Sequence, residues 1–137
     1  MAETKPPTTA ELIWSEGLRF GATAGKTALV VDGDGAAGPS PVHLAAIAVA
    51  GCMGADVVYL LEKGRQPLTG MRISFSAERA ARPPRRFTRI RLNFHVAGAV
   101  TPESVERAIA MSRETYCSVW HSMRQDIEFV TAFDIRT

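Results

Sequence analysis

A chain of 137 residues with 46% apolar content suits one hydrophobic core, so a single domain is expected. The balance of 16 basic against 14 acidic residues gives a net charge of +2, which favours neither a polyanion binder nor an acidic solvating protein. Two cysteines are too few for a disulfide framework, leaving redox or catalytic use to stand against two buried, inert thiols.

Residues 1–10 hold Glu3, Lys5, Pro6 and Pro7 and no apolar run. They are expected to be a flexible tail rather than an export signal, ahead of a domain over 11–137 in a cytoplasmic protein. Leu12, Trp14, Leu18 and Phe20, then Ala28 to Val31, give two strands of a hairpin turning near Ala24 and Gly25. The run Asp32-Gly33-Asp34-Gly35 ends the second strand as a turn. Ser40 reads as an N-cap and Pro41 as a first helical residue, because proline has no N–H to leave unpaired there.

From Val42 to Glu62 the chain is apolar on nearly every side, which asks for a helix buried all round. A membrane span is the competing reading by length, but Asp56 lies inside it and no aromatic belt flanks it. Gly51 and Gly54 suggest close approach by a neighbouring element, and Gly64 is the expected C′ residue. Met71, Ile73, Phe75 and Ala77 alternate with polar residues, as do Ile90, Leu92, Phe94 and Val96, predicting two strands joined by a loop at Ala80 to Arg85. Thr101 caps a helix with Val105, Ala108, Ile109 and Met111 on its apolar side. A short helix over Tyr116 to Met123 and a strand over Ile127 to Ile135 close an α+β chain. A wholly apolar helix is easier to cover with a second copy, so hydrophobicity alone predicts a homodimer.

Cys52 lies mid-helix among small residues, and Cys117 near the start of the short helix, where free N–H groups favour a thiolate. Both are plausible thiolates, although spacing does not show that they meet. Asp56, one turn after Cys52, would oppose a thiolate and is read as a structural hydrogen-bonding group. His121, one turn after Cys117, either lowers its pKa as imidazolium or sits at the surface. Arg79, Arg82, Arg85, Arg86, Arg89 and Arg91 form a basic run that lacks stacking aromatics, so a solvated face is preferred to a nucleic-acid site.

The ordered segments Gly38-Pro39-Ser40-Pro41, Ala50-Gly51-Cys52, Arg65 to Gly70, Phe87-Thr88-Arg89-Ile90 and Tyr116-Cys117-Ser118-Val119 resemble the OsmC/Ohr superfamily of osmotically inducible and organic hydroperoxide resistance proteins, with most similarity to its YhfA-like branch. The resemblance implies an OsmC-like fold: an antiparallel sheet around a long buried central helix, in an intertwined homodimer with its site at the subunit interface. It also implies a thiol peroxidase in which Cys52 attacks a small-molecule peroxide and becomes a sulfenic acid. Cys117 then condenses with it to a disulfide that an external thiol reduces, with no metal, flavin or haem and neither nucleic acid nor membrane as partner. Catalytic relatives orient the sulfur with an arginine from the N-terminal hairpin, for which Arg19 is the candidate and Lys26 the substitute, and with a glutamate at the helix start. Here Val42 and His43 stand where that glutamate is expected. His43 is a candidate replacement, but on a straight helix it lies ~13 Å along the axis from Cys52 and on the opposite side. The missing carboxylate motivates the alternative of a non-catalytic relative that senses redox state or binds a small apolar ligand.

Overall fold

Period-two alternation builds three strands ahead of the long helix, one more than the hairpin expected. The computed structural model describes residues 3–137. Of the tail expected over residues 1–10, Met1 and Ala2 lie outside the described residues, and residues 3–10 are exposed and without regular structure. The chain forms two compact units that meet in sequence between Ala45 and Ala46.

In the first unit, β1 (Glu11–Glu16), β2 (Arg19–Ala24) and β3 (Thr27–Asp32) form an antiparallel meander in the order β1-β2-β3. Gly17, with φ at +54°, makes the extra turn that divides Leu12 to Ala24 into two strands. The Trp14 indole N–H locks that turn by donating to the Gly17 carbonyl at 2.9 Å. The second turn falls at Gly25, as expected. Helix α1 (Pro41–Lys63) begins in this unit, where Ser40 Oγ accepts from the His43 N–H at 3.1 Å and caps it.

The second unit carries the rest of α1 and a sheet ordered β4-β5-β6, from β4 (Leu68–Arg79), β5 (Phe87–Gly98) and β6 (Glu128–Arg136). Strands β4 and β5 are antiparallel, whereas β6 runs parallel to β5, so the sheet is mixed rather than wholly antiparallel. The connection explains this: α2 (Pro102–Met111) and α3 (Ser118–His121) lie between β5 and β6, and a helical crossover returns the chain in the same direction. Ile90, Leu92, Phe94 and Val96 are buried, and their alternates Arg89, Arg91, Asn93 and His95 face away. Val49, Met53, Val57 and Leu61 of α1 join them in the core at four-residue spacing. Each such side chain contributes roughly 1.5–3 kcal/mol on burial.

Within one chain that spacing buries one stripe of α1, and the all-round burial expected involves a second copy. One third of the helix's most apolar window is buried, while Ile47 and Tyr59 are more than half exposed. The helix is long and apolar enough to cross a bilayer, but its core stripe and its place in this α+β fold do not indicate a span. Gly54 does permit close approach, since a Cβ there would meet Ile73 Cδ1 of β4 at 2.6 Å, whereas nothing lies within 4 Å of the Gly51 position.

Helix α1 ends one residue later than expected. Arg65, not Gly64, takes the left-handed conformation, with φ at +57°. The N–H of Gln66 bonds to the Leu61 carbonyl and that of Arg65 to Glu62, each at 2.9 Å, closing a Schellman motif. Thr101 caps α2 as expected, accepting from the Ser104 N–H at 3.2 Å. The short helix predicted over Tyr116 to Met123 is present as the four residues of α3, and an unexpected π-turn, Ser112–Tyr116, precedes it.

Candidate active site: two thiols of unequal burial

The second unit brings Cys52 and Cys117 together. Both are free thiols; Cys52 is half-buried on α1 and Cys117 fully buried at the N-cap of α3. The π-turn makes this placement, because the Cys117 N–H donates back to the Ser112 carbonyl at 2.8 Å and the chain then turns extended at the cysteine. Cys117 Sγ in turn accepts from the Trp120 N–H at 3.4 Å. Trp120 packs edge-on against Phe129 at 4.2 Å between ring centroids, and both belong with Cys117 to the buried core.

The helix start was expected to lower the Cys117 pKa, but its thiol is pushed up to about 11. Desolvation is the largest cause and outweighs the Trp120 N–H, which favours the thiolate. The neighbouring Cys52 thiol and the Asp56 charge add to the rise. Cys117 is therefore a protonated thiol at neutral pH.

Asp56 takes the structural role expected of it, accepting from Ser112 Oγ at 2.7 Å. Ser112 is fully buried, so this bond ties the π-turn below Cys117 to the helix that carries Cys52. His121 is a surface residue whose Nε2–H donates to the Arg113 carbonyl at 2.9 Å.

The other candidates belong to the first unit. Arg19 Nε donates to Asp32 Oδ2 at 3.3 Å, and its Nη1 lies 3.6 Å from Glu16 Oε1. Lys26 is exposed in the turn at the other end of β2. His43 is exposed, its Nδ1 2.9 Å from Ser40 Oγ, and no acidic residue occupies the first turn of α1. Asp32, read from the sequence only as a turn residue, is 1% exposed. The N–H groups of Ala37, Asp34 and Ala36, with Arg19, hold its carboxyl below the usual carboxylate range against the opposing effect of burial. An acidic residue at the end of an apolar strand and the head of a glycine-rich turn was the available signal. Ser112, in the polar run Ser112-Arg113-Glu114-Thr115, gave none.

Among the described residues no cluster of three metal-ligating side chains occurs. The arginine run is solvated and paired: Arg89 lies within 4 Å of both Glu78 and Glu128, and Arg79 Nε donates to the Arg85 carbonyl at 2.8 Å.

A mixed sheet packed on one long helix, with a half-buried thiol on the helix beside a buried one, defines a two-cysteine α+β protein. A family model described as OsmC-like protein matches residues 32–132, and the chain belongs to that family. It is 35% identical to Protein YhfA of Escherichia coli (strain K12) over 129 residues, covering 92% of this chain and 96% of that one. A hypothetical protein from Aquifex aeolicus VF5 shares the fold with a TM-score of 0.90 at 22% identity, covering 96% of this chain and 98% of its own. An organic hydroperoxide resistance protein from Elizabethkingia anophelis does so at 0.71 and 16% identity, covering 98% of this chain and 100% of its own.

Proposed function

We propose that the protein is a thiol-dependent peroxidase that reduces organic hydroperoxides or hydrogen peroxide. The observation that carries the reading is the unequal burial of two adjacent thiols: Cys52 is partly open to solvent, and Cys117 is sealed and protonated behind it. Cys52, as thiolate, attacks the peroxide O–O bond, takes one oxygen as a sulfenic acid and releases the alcohol or water. The Cys117 sulfur displaces that oxygen as water, forming the disulfide, which an external thiol reduces. Cytoplasmic thiols suit the last step.

Arg19 is the proposed cation for the thiolate, oriented by Asp32 in the role given elsewhere to the glutamate. His43 is a weaker contributor through the Ser40 cap. A homodimer is part of the proposal, supported by Ile47 and Tyr59 on α1 and by Leu12, Ile13 and Trp14 on β1, all more than half exposed.

Stopped-flow oxidation of the reduced protein with cumene hydroperoxide and hydrogen peroxide tests the reading. Rapid consumption that Cys52→Ser abolishes, with a Cys52–Cys117 disulfide in the mass map after one equivalent, is expected. Equal slow consumption by wild type and Cys52→Ser would end the assignment.

A second reading, a non-catalytic ligand binder, is favoured by one observation. An open groove of about 500 Å³ runs along α1 and β4, lined by Gly51, Gly54, Val58, Tyr59, Met71 and Ile73. A small apolar ligand that raises the melting temperature of a protein inert to peroxide would support it.

A further inference from the structure

The β4-β5-β6 sheet carries a second constellation on the face opposite the Ile90 to Val96 core row. The register sets Arg72 beside His95 and His95 beside Asp134, with Ser74 one position diagonal to the histidine. Asp134 Oδ2 lies 2.7 Å from His95 Nδ1, and His95 Nε2 lies 3.1 Å from Ser74 Oγ. A carboxylate only accepts, so Nδ1 carries the ring proton and Nε2 offers its lone pair to the Ser74 hydroxyl. Arg72 Nη1 donates to the same Oγ at 3.1 Å. The hydroxyl therefore faces a base on one side and a cation on the other. A pocket of about 300 Å³, lined by Arg72, His95, Asp134 and Arg136, opens over the histidine, and Ser74, which does not itself line it, adjoins it through its hydrogen bonds to Arg72 and His95.

We propose that Ser74, His95 and Asp134 form a hydrolytic site, separate from the thiols, for small anionic carboxylic esters. Serine, histidine and carboxylate stand in the order that nucleophilic acyl transfer requires, and the chain connects them through three strands of a rigid sheet. Ser74 Oγ bonds to the ester carbonyl carbon as its proton passes to His95 Nε2. Arg72 meets the oxyanion that develops. The carbon–oxygen bond to the alcohol breaks, and the alcohol leaves with the proton from His95. Water then attacks the acyl-serine, returning a proton through His95 to Ser74 Oγ and releasing the acid. Asp134 touches no substrate and acts as a positioning residue, fixing the imidazole tautomer. With Asp134 committed to His95, Arg72 and Arg136 remain as the cations of the pocket, which selects an acid that bears a second negative charge. The pocket size suits an acid of a few carbon atoms.

The test uses 4-nitrophenyl hydrogen succinate and 4-nitrophenyl acetate, with a Cys52→Ser, Cys117→Ala protein to remove thiol acylation. Catalysed hydrolysis is expected, faster for the succinate ester, with Ser74→Ala and His95→Asn each lowering kcat by about 100-fold. Arg72→Ala removes the preference for the succinate ester, and Asp134→Asn lowers kcat while leaving KM unchanged. A fluorophosphonate applied to the wild-type protein should be found on Ser74 by peptide mapping, a readout independent of any variant's folding. Hydrolysis at the buffer rate, or the same rate in the Ser74→Ala protein with no phosphonate on Ser74, overturns the proposal and leaves a solvated hydrogen-bond ladder.

Discussion

Ser112 Oγ donates to Asp56 Oδ2 at 2.7 Å, and this bond pins the π-turn that presents Cys117 to the helix that presents Cys52. Removing the hydroxyl leaves a carboxylate without its buried partner. Ser112→Ala is therefore expected to cost about 1–3 kcal/mol of stability. It should also slow closure of the disulfide after oxidation more than it slows the first oxidation. Urea unfolding and double-mixing stopped flow measure the two effects, and an unchanged closure rate would show that the turn needs no anchor.

The Asp56 charge resists ionisation of Cys117. Asp56→Asn should accordingly lower the Cys117 titration midpoint. Alkylation rate against pH gives it, with both proteins carrying Cys52→Ser so that a single sulfur reports.

Burial, with smaller contributions from Cys52 and Asp56, raises the Cys117 pKa from 9.0 to about 11, so the folded state holds this proton more tightly than the unfolded chain does. Its contribution to stability is complete below about pH 9 and disappears as the pH rises through about 11. Over that window the wild type should lose on the order of 2 kcal/mol more than Cys117→Ala. Parallel stability curves for the two proteins between pH 8 and pH 11 would contradict the sign.

Asp32 has the opposite linkage. Its lowered pKa makes the carboxylate stabilising above the unfolded value, and that stabilisation is lost as the pH falls through the folded one. Asp32→Asn should melt below the wild type at pH 7 and approach it in acid. Circular-dichroism melts across the acid range decide this, and a gap of constant size would point to shape rather than charge.

Gly54 is where α1 meets Ile73. A valine there overpacks the contact, and Gly54→Val is expected to cost about 1–3 kcal/mol. Gly54→Ala should be milder, because the atom in its way is the free end of the Ile73 side chain. Denaturant midpoints for the two variants rank them.

Strand β5 was legible residue by residue because Ile90, Leu92, Phe94 and Val96 alternate without interruption and one face is buried. The caps at Ser40 and Thr101 were legible because their hydroxyls act on N–H groups a few residues away. The turn at Gly17 was not legible because Leu12, Trp14, Leu18 and Phe20 keep even spacing across it, so a single glycine leaves the strand pattern intact. The direction of β6 was signalled by the helices before it, whereas the antiparallel sheet came from the family resemblance and not from the strand pattern. Candidate cysteines could be named from their neighbours, whereas the ionisation of Cys117 depends on Trp120 of α3 and on Cys52 and Asp56 of α1, two elements far apart in sequence. A short-range rule about helix starts cannot foresee how much water the tertiary structure removes.

The π-turn over Ser112–Tyr116 holds one residue more than an α-helical turn would. Deleting any one of those five restores ordinary helical phase and swings everything after it by about 100° around the axis. The spare residue works as a spacer that keeps two sulfurs in step, so this stretch should tolerate changes of side chain far better than changes of length.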